Sequence, residues 1–139
     1  MKNYVISVVC LLVLFSCQKE KKVEKEPFEM YKASELTIMM EQMYVHHNSL
    51  KEQILDGSSL SEMPYDLQQL HTAEMTDRFE RDDNFDKYAE VFKNYQKELY
   101  TTQPDSLKLV YNNTINTCVS CHETSCTGPI PRIKKLLIE

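Results

Sequence analysis

The sequence has only two glycines, Gly57 and Gly128, and no tryptophan in 139 residues. Tight β-hairpin turns depend on residues that accept positive φ. So few glycines exclude a turn-rich all-β fold and favour long helices. Positive charge is not in excess either: 16 lysines and arginines face 21 aspartates and glutamates, a formal net charge of −5. The short basic stretches KEKKVEK and RIKK make no phosphate-binding surface, so nucleic acid is not an expected partner. No carboxylate pair and no Ser/His/Asp set forms a catalytic constellation, and the chain is not expected to be an enzyme.

Long apolar runs are also missing. The longest, Val5 to Phe15, is too short for a comfortable membrane span. Behind Lys2 it fits a secretory h-region. It ends in Leu14-Phe15-Ser16-Cys17, which resembles a bacterial lipobox. The resemblance implies cleavage after Ser16 and lipidation of Cys17, which ties a protein to a membrane surface. An ordinary signal peptide or an uncleaved anchor are the alternatives. Gln18, not Asp, follows the cysteine. By analogy with lipoprotein sorting this favours the outer membrane, facing the periplasm or the cell surface. The expected organisation is a signal peptide over 1–16, a solvated charged tether over 17–31 and one domain over 32–139.

Within that domain the apolar spacing is helical. Leu36, Met40, Met43, His47, Leu50 and Ile54 share a face, between a plausible N-cap at Ser34 and a stop at Gly57. Pro64 opens a second expected helix through Leu67, Leu70, His71, Met75 and Phe79, fraying near Arg81. Phe85, Tyr88, Ala89, Phe92, Tyr95, Gln96 and Leu99 mark a third. Pro104 and Asp105 open a fourth, which Gly128-Pro129 and Pro131 end. The tail 130–138 suits a short capping turn. Four amphipathic helices with short connections predict an all-α, antiparallel four-helix bundle with a C-terminal extension.

The chemistry lies in TCVSCHETSC, Thr117 to Cys126. With Cys10 in the signal and Cys17 acylated, Cys118, Cys121 and Cys126 remain, an odd number for a disulfide scaffold in an oxidising compartment. Cys118-Val119-Ser120-Cys121-His122 has the CxxCH order of covalent haem attachment. Two thiols add to the haem vinyl groups, and the next residue offers an imidazole to the iron. On a helix these three positions are i, i+3 and i+4 and share a face. A zinc site from Cys118, Cys121, His122 and Cys126 is the rival, although adjacent 121 and 122 chelate one ion awkwardly. A redox dithiol lacks its βαβ context. A disulfide between Cys118 and Cys121 would strain a helix. The expected cofactor is one covalent haem c, held by Cys118 and Cys121, with His122 on the iron.

A helical bundle with CxxCH near the end of its last helix resembles the cytochrome c-prime-type fold, including its low-spin, Met-ligated relatives. SELTIMMEQM, LHTAEMTD and YNNTINTCVSCHETSCTGPIPRIKKL are similar to segments of exported c-prime-like cytochromes of the Bacteroidota type. The resemblance covers about residues 32–125. It departs after the motif, where a Cys-Thr-Gly-Pro tail replaces the usual early ending. It implies a sixth-ligand position in the first half of the first helix, apolar in gas-binding members and Met in electron carriers. That stretch holds Met39, Met40 and Met43. The family spacing counted back from Gly57 favours Met40, with Met43 second. Core packing is the bland role for each.

Bis-His ligation through His47 or His71 is an alternative, and His46 stands beside His47. Tyr111 and Asn112 are expected to line the haem face or meet its propionates. Cys126 has no assigned role beyond a free thiol or a disulfide to another chain. The expected function is a lipid-anchored monohaem cytochrome that carries electrons to redox protein partners with basic patches, with a homodimer as one possible assembly. The alternatives are a five-coordinate NO/CO-binding protein and a haem-free lipoprotein with a Cys/His zinc site.

Overall fold

The computed structural model describes residues 32–139; the expected signal segment 1–16, the expected lipidation at Cys17 and the expected tether 17–31 lie outside the described residues. The described residues are helical, with no strand among them. Helix α1, Glu35–Asp56, starts where Ser34 Oγ accepts the Thr37 amide at 3.3 Å. Its acidic first-turn residue, Glu35, suits the positive end of the helix dipole. It stops at Gly57, whose φ of 74° is left-handed and cheap only for glycine. At 1.5 Å per residue, its 22 residues span about 33 Å.

The expected second helix is reduced to a single turn, α2, Gln69–Thr72. Backbone groups that would have continued it have other partners. The Leu36 amide, an orphan donor in the first turn of α1, bonds to Glu74 O at 2.9 Å. Glu35 Oε2 accepts the Glu74 amide at 2.9 Å. Arg81 donates from Nε to Leu70 O at 3.3 Å and from Nη2 to Ala73 O. The apolar spacing describes burial in part: Leu67 and Leu70 face the core, while His71, Met75 and Phe79 are only partly buried. It misreads the backbone, since a short irregular segment can present the same side chains.

Helix α3, Asp83–Leu99, is capped by Asp82, whose carboxylate accepts the Phe85 amide at 2.8 Å. Helix α4, Pro104–Ser125, begins with proline where a missing amide costs nothing. A single turn, α5, Ile130–Ile133, runs into a 3₁₀ turn at Lys134–Leu136.

Two apolar clusters fill the interior. In one, Leu36, Met39 and Met43 of α1 meet Leu67, Leu70 and Phe85, Ala89 and Phe92 of α3. In the other, Leu50, Leu99, Tyr111 and Ile115 meet Ile133, Leu136 and Ile138 of the tail. Cys118 packs against both.

The tail is bound on two sides. The Tyr111 hydroxyl, fully buried, is shared between His47 O at 2.9 Å and Leu136 O at 3.2 Å. Asn112 clips Ile138 through both its amide and its carbonyl, at 3.0 and 2.8 Å. Both residues therefore bind the tail, and their side chains have partners other than those expected of them. On α1, Lys51 Nζ donates to Lys135 O and Leu137 O at 2.9 and 2.7 Å. Arg132 forks onto Glu41 at 2.6 Å in both bonds while lying 3.7 Å over the Tyr44 ring.

Candidate functional site

A small, half-open cleft of about 40 Å³ lies beside the C-terminal half of α4. Thr117, Cys118, Cys121 and His122 form one wall. Their spacing puts them on one helix face. Met40 and Met43 of α1 also line it, as do Leu70, Phe85, Tyr88, Ala89 and Phe92. No aspartate, glutamate, lysine or arginine is among these residues. The cleft is thus an apolar slot carrying two thiols, one imidazole and two thioethers.

His122 is oriented for ligation. Its Nδ1 lies 2.8 Å from Cys126 O, and a carbonyl only accepts, so Nδ1 carries the proton. In the neutral ring the lone pair is then on Nε2. This backbone carbonyl fixes the tautomer and the rotation of the ring. The acceptor exists because α4 ends there. Cys126 caps the helix at φ −143°, with its own amide bonded to His122 O at 3.0 Å. Cys126 thus has a role through its backbone carbonyl, which nothing in its side chain signals.

Cys118, Cys121 and Cys126 are free thiols. Burial pushes the Cys118 thiol up to about 12, with Cys121 beside it adding to the rise. Burial likewise raises Cys121, helped by the Asp82 carboxylate. Among the described residues no three His, Cys, Asp or Glu side chains are placed to hold a common ion.

The other histidines lie outside the cleft lining. His47 is buried, with Nδ1 2.7 Å from Met43 O and Nε2 2.7 Å from Gln96 Oε1. The Met43 carbonyl fixes the proton on Nδ1. Burial holds the ring below its ordinary pKa, hence neutral. A neutral ring protonated on Nδ1 accepts at Nε2, so Gln96 would donate to it only with its amide turned to exchange Oε1 for NH₂. His46 Nε2 lies 2.9 Å from the Tyr100 hydroxyl, which donates to Ser61 O at 3.1 Å. His71 sits between Asp86 at 3.1 Å and Glu90 at 3.9 Å. Met39 is buried in the core and is not part of the lining.

Two buried neutral histidines set a pH dependence. Burial and the neighbouring His47 hold His46 at about 4 in the folded chain, and burial lowers His47 as well. In the unfolded chain both titrate near the ordinary value of about 6.5. Above that value neither protonates and stability is full. As pH falls from about 6.5 towards 4, the unfolded state takes up protons that the folded state refuses. Stability is then lost by at most about 1.4 kcal/mol per pH unit for each histidine. Urea unfolding at pH 7, 6 and 5 measures this, and His46→Gln should flatten the slope. A wild-type stability unchanged from pH 7 to 5 would contradict buried neutral rings.

The α3 stripe Phe85, Tyr88, Ala89 and Phe92 is legible in the sequence as a helix face, but not as a cleft wall. Leu70 is likewise legible as an apolar stripe position but not as a cleft wall, and Thr117 gives no signal of its own. No family model, no curated protein and no solved structure matches this chain.

Proposed function

We propose that the chain is a membrane-anchored monohaem c-type cytochrome that carries electrons, with c-prime-like, antiparallel bundle architecture. One observation carries the reading: Cys118, Cys121 and His122 share an apolar cleft with the thioethers of Met40 and Met43. The donor set fits haem c. The two cysteines are spaced for thioether attachment, and His122 has its Nε2 lone pair free for iron. Met40, or Met43 one turn on, is available on the other helix. Bound haem supplies a one-electron iron couple.

The chain's own residues tune that couple. The uncharged lining excludes water and penalises the more highly charged oxidised state, which raises the potential. A thioether ligand raises it further. Cys126 O holds the His122 ring in one tautomer and rotation. The cleft draws on the first halves of α1 and α3 and the last half of α4. That pattern suits alternating helix directions, with the irregular segment around α2 on the fourth side. Lipidated Cys17 would hold the domain at the outer membrane, where its net charge of −5 suits redox partners with basic patches.

The test is expression with c-type maturation followed by acid–acetone extraction. Haem should stay with the wild type and with Cys126→Ser. Cys118→Ala and Cys121→Ala should each leave one thioether or fail to mature. Haem that extracts from the wild type sinks the proposal, and loss of covalent haem from Cys126→Ser overturns the attachment assignment.

A further inference from the structure

Outside the three long helices, the cleft lining has a single side chain, Leu70. Leu70 reaches the cleft from the one-turn helix α2, which is too short to fix its own position. Its last carbonyls would be orphaned. Arg81, half-buried, donates to two of them, Leu70 O and Ala73 O. The same guanidinium lies 5.5 Å from the centre of the Phe85 ring. Leu70 and Phe85 both line the cleft and both are buried. One planar cation thus grips the backbone behind one wall residue and the ring of another. The next residue, Asp82, caps α3 at Phe85 and fixes where that ring starts.

We infer that Arg81 is a positioning residue for the cofactor cleft: it holds the Leu70 wall against Phe85 and thereby keeps water from the haem edge. The inference rests on the haem reading above and adds a residue outside the motif and outside the cleft lining. Two features of arginine are needed. A fork reaches two carbonyls at once, and a flat face stacks on an aromatic ring. Lysine offers a point charge with neither property.

The experiment compares wild type, Arg81→Ala and Arg81→Lys, with Arg78→Ala as control. Arg78 lies 4.8 Å over Phe79, which is not a cleft residue. Two quantities are measured: the reduction potential of the haem-loaded chain and amide exchange over residues 67–76 in both haem-loaded and haem-free chains. Arg81→Ala should keep covalent haem, because attachment depends on Cys118 and Cys121. Its potential should shift negative, since water at the haem edge favours the oxidised state. Exchange over 67–76 should rise about tenfold or more, while the centre of α4 stays protected. Arg81→Lys should resemble Arg81→Ala, and Arg78→Ala should match wild type.

An Arg81→Ala chain with wild-type potential and exchange overturns the inference. So does full restoration by lysine, which would make charge alone sufficient. Haem extracted from the wild type by acid–acetone would instead sink the proposed function. In that case faster exchange in the haem-free Arg81→Ala chain still supports the clamp, and unchanged exchange removes it.

Discussion

His122→Ala should abolish the low-spin spectrum of the haem-loaded protein. No other imidazole is among the cleft residues: His46, His47 and His71 all lie outside its lining. Each has a partner of its own, Tyr100, Gln96 and Asp86 respectively. The haem that remains, held by Cys118 and Cys121, should therefore be high-spin on the proximal side. The variant leaves an imidazole-shaped gap beside Cys126 O, the acceptor for Nδ1–H in the wild type. Added imidazole should fill that gap and restore the low-spin bands, with its own N–H donating to the same carbonyl. Absorption spectra with and without imidazole make the measurement. A low-spin His122→Ala protein without added ligand would place the proximal ligand elsewhere and break the assignment.

The two methionines should separate by spectrum and by stability. Met40 is half-buried at the edge of the core, whereas Met43 is 6% exposed and belongs to it. Met40→Ala should open the sixth position, giving a high-spin reduced form that binds CO quickly. Its stability loss should fall below the range for a fully buried site. Met43→Ala should keep the wild-type spectrum and lose about 2–5 kcal/mol to the cavity it leaves. Reduced spectra, CO mixing and urea unfolding on both variants decide the matter. A high-spin Met43→Ala protein with an unchanged Met40→Ala spectrum would move the ligand one helical turn. If neither variant changes spin state, thioether ligation fails and the five-coordinate NO/CO-binding reading takes precedence over electron transfer.

Sequence alone determines the three long helices. Ser34 and Gly57 bound α1, Asp82 caps α3 and Pro104 opens α4, each acting within a few residues of itself. The motif is equally local: the spacing of Cys118, Cys121 and His122 places them on one face of any helix. The segment after Gly57 follows other rules. Its apolar period places Leu67 and Leu70 in the core but leaves Met75 and Phe79 only partly buried, and the backbone is decided by contacts outside the segment. Leu36 and Glu35 take both backbone groups of Glu74, and Arg81 takes the carbonyls of Leu70 and Ala73.

The same distinction runs through the site. A methionine stripe on α1 is visible in the sequence, but only packing separates Met40 and Met43, which line the cleft, from Met39, which does not. Tyr111 stands near the motif in sequence, yet its hydroxyl joins α1 to the tail. Cys126 matters through a carbonyl oxygen, which every residue type carries. Periodicity and capping are short-range and leave a mark on residue identity. Hydrogen bonds between backbone groups and distant side chains depend on where the helices come to rest, and only the tertiary structure decides them.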